Sequence, residues 1–421
     1  MSVTGRSGAT GGGSAEKAGN DAATVQAAVR AIRGARRRAV VCTVYLAIDA
    51  SLDIGFLKFS TAAVTRLDKI LARAALELWH GAAVPRSKNP YYCGLPGDHF
   101  DGLRFFNPDH PETDRGLRDL LRWKLMERAA PWPRSVPAQQ TVPDARVAGL
   151  RVTIVGHASV LIQAGGLNVL TDPVWAERAS PLSFAGPRRV WAPGIAFESL
   201  PQIDAVLLSH NHYDHMDLAT LRRLNIQHSP LIVAPLGNDA ILRRKIPGVR
   251  VVAGDWWDRI DIGNGGEVTI VPAYHWSARS GRDRRMALWS GFMLSAGGGR
   301  AYFAGDTGYG NGRIFHEVRR RIGRPDLALI PIGAYAPRWF MSSQHTDPNE
   351  AVQILEDLEA TRAVGIHWGV FQLTDERWGE PPELLLEALA RRGIAENLFP
   401  AGEPGLSYEL AQSFGAKLSP M

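Results

Sequence analysis

The chain has 421 residues, 45% hydrophobic and 21% charged, which is ordinary for a globular protein that buries a real core in one large domain or two. Its formal charge of +6 is uneven: residues 1–90 hold 13 Lys/Arg against 6 Asp/Glu, so the remainder sits near −1, and residues 91–421 show no basic stripe with interleaved aromatics of the kind a nucleic-acid groove needs. Cys42 and Cys93 form no CxxC pair and suggest no disulfide framework, a usage compatible with a reducing compartment.

Residues 1–23 are rich in Gly, Ser and Ala, and cannot bury enough apolar surface to offset their ordering entropy; they read as a disordered tail. Residues 24–86 read as a basic, amphipathic helical extension. Within it Val64, Leu67, Ile70, Leu71, Ala74 and Leu78 recur at spacings of three and four, one apolar stripe. The stretch 39–59 is apolar but carries Asp49 and Asp53, and a mid-bilayer Asp costs roughly 2.5–3.5 kcal/mol, so it does not read as a membrane span. It reads as a helix packed on the main domain, with an interfacial helix touching a membrane surface, or a poor signal sequence, as the competing readings. The protein is expected in the cytoplasm or peripheral to a membrane. Residues 87–147, rich in Pro, Gly, Trp and Arg, read as an arm laid over another surface, with a short helix near 114–126.

From 148 to 415 the texture is that of a layered α/β domain. Short β-type runs such as "LRVTIVG", "LNVLTDP", "DAVLLSH", "VTIVPAY", "RAYFAGD", "LALIPIG" and "RAVGIHW" alternate with helical stretches at about 216–225, 237–245, 312–322, 347–360 and 381–392. No GxGxxG is present, so the domain does not read as a dinucleotide binder. Asp347, Pro348 and Glu350 spell the start of a helix: a cap, a first-turn proline and a capping-box partner.

"VLLSHNHYDHMD" (206–217) carries the chemistry. Alternation on an extended backbone points His210 and His212 the same way, and Asp214 and His215 follow in a tight turn. Imidazoles with a carboxylate suit Zn²⁺ or a similar borderline cation. Four ligands in six residues exceed what one tetrahedral ion takes from a single loop, so two adjacent metals are expected. His275, Asp306 and His367 each follow an apolar run, where a sheet delivers side chains to a common edge, and they complete the two shells. Asp306, between Gly305 and Gly308, has room to bridge.

The stretches "LTDPVW", "RASPLSFAGPRR", "IDAVLLSHNHYDHMD", "GDWWD", "AGDTGYG", "IPIGAYAPRWFMSSQHTDPNEAV" and "IHWGVFQLTDE" resemble the N-acylphosphatidylethanolamine-hydrolysing phospholipase D branch of the metallo-β-lactamase superfamily. The resemblance covers about residues 87–400 and implies a four-layer αββα sandwich with two zinc ions at the edge between the sheets; manganese or iron is an alternative filling. It implies His210, His212 and His275 around one ion, Asp214, His215 and His367 around the other, and Asp306 between them. Asp172 is implied to orient a ligand or the nucleophilic water, and Gln344 and His345 to face the substrate phosphoryl group at the helix N-terminus. Arg279 is a candidate phosphate or headgroup contact. His157, in "VGHASVLI", is expected near the active-site floor in a structural role. Where the mammalian enzymes carry a Gln-Tyr pair, this chain has Ser183-Phe184, so headgroup contacts are expected to differ.

The reaction so implied is hydrolysis of a phosphodiester by a hydroxide shared between two metals, releasing N-acylethanolamine and phosphatidic acid from a phospholipid. Competing readings are a lactonase or sugar-phosphate lactonase on the same scaffold, and a non-catalytic, membrane-associated regulator. Expected partners are the phospholipid or other phosphodiester substrate, a membrane surface met by the N-terminal region, and a second copy in a homodimer; nucleic acid is not among them.

Overall fold

The computed structural model describes residues 89–110 and 115–410; the expected tail (1–23) and helical extension (24–86) lie outside the described residues. The chain divides into two compact units, and the sandwich below belongs entirely to the second, which comprises 89–92 and 98–421. Of the first unit, Cys93–Gly97 is described; Cys93 is disulfide-bonded, a bond the cysteine spacing did not suggest.

Seven strands form one sheet: β1 (Leu150–Gly156), β2 (Ser159–Ala164), β3 (Leu167–Thr171), β4 (Ala205–Leu207), β5 (Leu231–Pro235), β6 (Val251–Gly254) and β13 (Ser407–Leu410). Their order is β13-β1-β2-β3-β4-β5-β6, antiparallel as far as β3 and parallel from β3 to β6. Six strands form the other: β7 (Arg259–Gly263), β8 (Gly266–Val271), β9 (Gly291–Ala296), β10 (Gly299–Phe303), β11 (Leu327–Pro331) and β12 (Arg362–Ile366). Here the order is β12-β11-β10-β9-β8-β7, parallel from β10 to β12 and antiparallel through β9 and β8.

The two-residue period of the strands makes the layers. Leu167 and Val169 of β3 point inward, as do Ala301 and Phe303 of β10, and they join one buried cluster between the sheets. The alternate residues point outward. Leu170, Val206 and Ile232 pack under α2 (Leu218–His228) and α3 (Asn238–Lys245), through Leu221, Leu224, Ile241 and Leu242. Tyr302, Ala328 and Ala363 meet α4 (Arg313–Ile322), α6 (Pro348–Leu358) and α7 (Glu380–Arg392), through Phe315, Val318, Val352, Leu355 and Leu389. Each large apolar side chain so buried stabilises the fold by roughly 1.5–3 kcal/mol. The result is the αββα sandwich.

The arm is mostly irregular, with α1 (Leu117–Met126) as its helix, and is fixed by polar clamps. His99 lies between Asp98 and Asp255 at 2.6 and 2.7 Å, and Trp132 donates its Nε1–H to the Glu376 carbonyl at 2.8 Å. Three elements had no clear sequence signal: the edge strands β7 and β13, and the one-turn α5 (Arg338–Met341). Both strands are edges with exposed, charged positions, so neither shows an apolar run.

Candidate metal centre

One edge of the sandwich collects the ends of strands from both sheets. Beyond β3 comes Asp172, beyond β4 come Ser209 and His210, beyond β8 His275, beyond β10 Asp306, and beyond β12 His367. β8 and β10 are both antiparallel to β9, so they deliver their C-terminal ends to the same side. His212, Asp214 and His215 occupy the turn between β4 and α2, which is closed by backbone bonds from His215 and Met216 to the His212 carbonyl. Asp217 then caps α2, its Oδ1 accepting from Ala219 and Thr220 at 3.0 and 3.3 Å. Gly305 adopts φ +61°, and a Cβ there would meet the Ser209 Cβ at 2.8 Å, so only glycine lets the Asp306 strand end approach the histidine loop.

Seven donors draw together in two groups. In the first, His210 Nε2 and His275 Nε2 lie 2.8 and 3.3 Å from His212 Nδ1. In the second, His215 Nε2 and His367 Nε2 are 3.2 Å apart, and Asp214 Oδ2 is 3.4 and 3.5 Å from them. Asp306 lies between, with Oδ1 3.1 Å from His367 and Oδ2 3.2, 3.7 and 3.9 Å from His215, His275 and His210.

Hydrogen bonds behind the rings decide which nitrogens face the centre. The Gln344 carbonyl, 3.1 Å from His275 Nδ1, can only accept, so the proton sits on Nδ1 and the Nε2 lone pair faces inward. Ser209 Oγ donates its one proton to Asp172 Oδ2 at 2.5 Å and so accepts from His210 Nδ1 at 2.9 Å. Asp172 Oδ2 likewise takes the His215 Nδ1–H at 2.6 Å, and Oδ1 takes the Ser209 backbone N–H at 2.7 Å. His210, His215 and His275 can thus each present an Nε2 lone pair to a cation at the centre. This donor set of neutral imidazoles and carboxylates fits a borderline divalent metal.

The electrostatics agree. Burial, then neighbouring imidazoles, hold His210 well below its usual pKa; burial does the same to His275, with His345 and His212 adding to it. Burial also brings His212 down to about 4. Burial alone would raise Asp214 and Asp306, but His215 and the other adjacent imidazoles outweigh it and keep both carboxylates ionised. Burial opposes charge on His215 and His367 too, yet Asp306 and the other carboxylates win, lifting His215 well above 6.5 and His367 to about 9. The carboxylates thus demand positive charge at this point, and a metal has to displace the protons that otherwise supply it. Chelator-stripped protein at pH 7 should release about two protons per chain on metal addition, from His215 and His367, read with an indicator in weak buffer. Affinity should rise with pH until those rings lose their protons, near pH 9 for His367. Metal binding with no proton release would contradict the assignment of these rings.

The other expected residues fall as follows. His345 is 9% exposed, its Nδ1 has no hydrogen-bond partner, and that atom lies 4.0 Å from Asp306 Oδ2. Gln344 does not turn its side chain to the open centre: Oε1 accepts from Trp276 Nε1 and Nε2 lies 3.4 Å from Met341 Sδ. The helix N-terminus is engaged by its own residues, Asp347 capping Glu350 N at 2.9 Å, so the anion argument rests on His345 alone. Arg279 departs most from expectation. Its Nη1 donates to the Asn211 and Met216 carbonyls at 2.9 Å each, and the guanidinium lies over Tyr213 at 4.0 Å, which braces the histidine loop instead of reaching toward substrate.

Two neighbours carry more than the sequence suggested. His157, at φ +60°, puts Nε2 3.0 Å from Asp214 Oδ2, and its ring lies 3.9 Å from the His367 ring at a 40° tilt. Ser209 links Asp172 to His210, and its place directly before the first histidine was the only available clue.

Residues 167–368 match the family model described as a β-lactamase superfamily domain. A Caenorhabditis elegans protein named N-acyl-phosphatidylethanolamine-hydrolyzing phospholipase D 1 is 38% identical over 271 residues, covering 62% of this chain and 76% of that one. The chain belongs to that branch of the metallo-β-lactamase superfamily. An uncharacterized Mycobacterium tuberculosis protein is also 38% identical, over 288 residues, covering 65% of this chain and 74% of its own length. A Saccharomyces cerevisiae protein named as the mitochondrial N-acyl-phosphatidylethanolamine-hydrolyzing phospholipase D is 36% identical over 246 residues, covering 57% of this chain and 52% of that one. Among solved structures, an isothiocyanate hydrolase from Delia radicum gut bacteria shares the fold, with TM-score 0.50 and 21% identity, covering 62% of this chain and 99% of that one. The protein is a metal-dependent hydrolase of the metallo-β-lactamase fold, with His/Asp clusters able to bind metal. Among the described residues no helix is long and apolar enough to cross a membrane.

Proposed function

We propose that the protein hydrolyses the phosphodiester of an N-acylphosphatidylethanolamine-type phospholipid, giving N-acylethanolamine and phosphatidic acid, with two zinc ions as cofactors. The observation that carries the reading is the pair of donor groups sharing one carboxylate, Asp306, whose Oδ1 lies 3.1 Å from His367 of one group while Oδ2 lies 3.7 and 3.9 Å from His275 and His210 of the other. His210, His212 and His275 would hold one ion, Asp214, His215 and His367 the other, and Asp306 would join both shells. Two such ions supply Lewis acidity and a water acidic enough to be used near neutral pH.

The chain's own side chains do the rest. Asp172 fixes the His215 tautomer directly and that of His210 through Ser209 Oγ, so both histidines keep their lone pairs on the centre. Asp214, held by His157, is poised to accept a hydrogen bond from the attacking water. His345 is neutral at pH 7, since burial holds it at about 4, and it offers an N–H to a phosphoryl oxygen without adding charge. Gln344 acts through its carbonyl, by orienting His275. In the balanced reaction, water's oxygen joins phosphorus, the bond from phosphorus to the ethanolamine oxygen breaks, and the departing alcohol takes a proton.

The test is purified full-length protein offered N-acylphosphatidylethanolamine, bis(p-nitrophenyl) phosphate and a lactone panel, with products identified by mass spectrometry and metal by elemental analysis. Phosphatidic acid and N-acylethanolamine in equal amounts are the expected products. Lactone opening without diester cleavage would assign the scaffold to a lactonase, and negligible metal content would assign it to a regulator.

A further inference from the structure

α1 is turned the wrong way for a soluble helix. Trp123, 5% exposed, is its inward anchor: the indole lies 4.9 Å from the Phe340 ring, and its Nε1–H bonds Asp375. Leu121, Leu125 and Met126 face out at 52, 83 and 71% exposure, with Leu121 and Leu125 one turn apart in a single row. Arg118, Arg122, Lys124 and Arg128 are exposed around that row, against Asp119 and Glu127, an excess of positive charge. An apolar ridge rimmed by cations is the pattern of a helix lying in a headgroup layer.

A second apolar projection stands nearby. The 179–187 loop exposes Leu182 and Phe184, and a cleft of about 580 Å³ next to it is lined by Pro187 and Arg188 and, on the chain that continues from α1, by Trp132 and Arg134. α1 also adjoins the candidate centre. Trp123 packs on Phe340 and Met341 of α5, and the Met341 carbonyl accepts from the Gln344 and His345 backbone N–H groups at 2.9 Å each.

We propose that α1 and the 179–187 loop form a docking surface for an anionic phospholipid bilayer. Leu121, Leu125, Met126, Leu182 and Phe184 enter the acyl boundary while Arg118, Arg122, Arg134 and Arg188 pair with lipid phosphates. The proposal rests on the phospholipid reading for its purpose, since docking here brings the His345 side of the centre to the lipid. It differs from the expectation that only the N-terminal 24–86 region meets the membrane.

The experiment is co-sedimentation of the full chain with phosphatidylcholine vesicles, with and without phosphatidylglycerol. The wild type should bind the anionic vesicles more strongly. Leu121→Glu/Leu125→Glu should lower partitioning about tenfold or more, and Arg118→Glu/Arg122→Glu should remove the preference for anionic lipid, on the order of tenfold. Both variants should keep wild-type melting temperature and bis(p-nitrophenyl) phosphate turnover. Vesicle binding unchanged in the leucine variant overturns the proposal, as does loss of a dimer without loss of vesicle binding, which would make α1 a contact for a second copy. Impaired vesicle binding in a protein whose wild type cleaves no diester would leave the docking surface standing and refute the substrate reading.

Discussion

Asp306→Asn is expected to lose most bound metal and to lower diester turnover by about 10³-fold or more. The reason is geometric as well as electrostatic. Asp306 is 4% exposed, and its two oxygens approach His367 and His215 at 3.1 and 3.2 Å from a single carboxyl group. An asparagine keeps the shape but has one oxygen, and its amide turns two N–H donors toward ring nitrogens that must stay free for a cation. It also removes the charge that most strongly favours positive charge on both histidines. Elemental analysis and turnover measured on the same preparation check the expectation. Full metal content with full activity would remove Asp306 from the centre and collapse the two-ion reading.

Asp172→Asn should weaken metal binding by about 10–100-fold although Asp172 Oδ2 is engaged by Ser209 Oγ and His215 Nδ1, behind the rings. Asp172 has no exposed surface and sits at φ +30°, an uncommon conformation for a side chain other than glycine, held there by three hydrogen bonds. An amide nitrogen in place of Oδ2 cannot accept from His215 Nδ1 or Ser209 Oγ, so His215 can move its proton to Nε2 and His210 loses its fixed partner. The tautomers then oppose the metal. Competition titration with a chromogenic chelator reads the loss, and excess zinc should restore much of the turnover. A variant with unchanged affinity would show that the rings hold their tautomers without Asp172.

Much of this was legible in the chain. His210, His212, Asp214 and His215 stood out because a strand end and a turn pack four ligands into six residues, and His275, Asp306 and His367 because each closes an apolar run. Most strands revealed by apolar runs are buried along nearly their whole length; β7 and β13 were silent because exposed polar and charged positions interrupt their apolar residues. Arg279 and Gln344 show the limit. Sequence order puts them near the centre, but where a long side chain turns is decided by carbonyls such as those of Asn211 and Met216, which belong to a distant turn. His157 was underread for the same reason: its partner Asp214 is 57 residues away, and only the strand order of the first sheet brings the turn after β1 beside the loop after β4.

Each donor group takes side chains from both sheets. His210 and His212 follow β4 of the first sheet and His275 follows β8 of the second; Asp214 and His215 follow β4, and His367 follows β12. An ion held by either group is therefore a rivet across the seam of the sandwich. Its binding free energy adds directly to the resistance of the two halves to parting, about 4 kcal/mol when free metal stands a thousandfold above its dissociation constant. In a cell where metal supply fluctuates, catalytic competence and protection from unfolding would rise and fall together, and a metal-starved population of this protein would be marked for turnover by the same event that silences it.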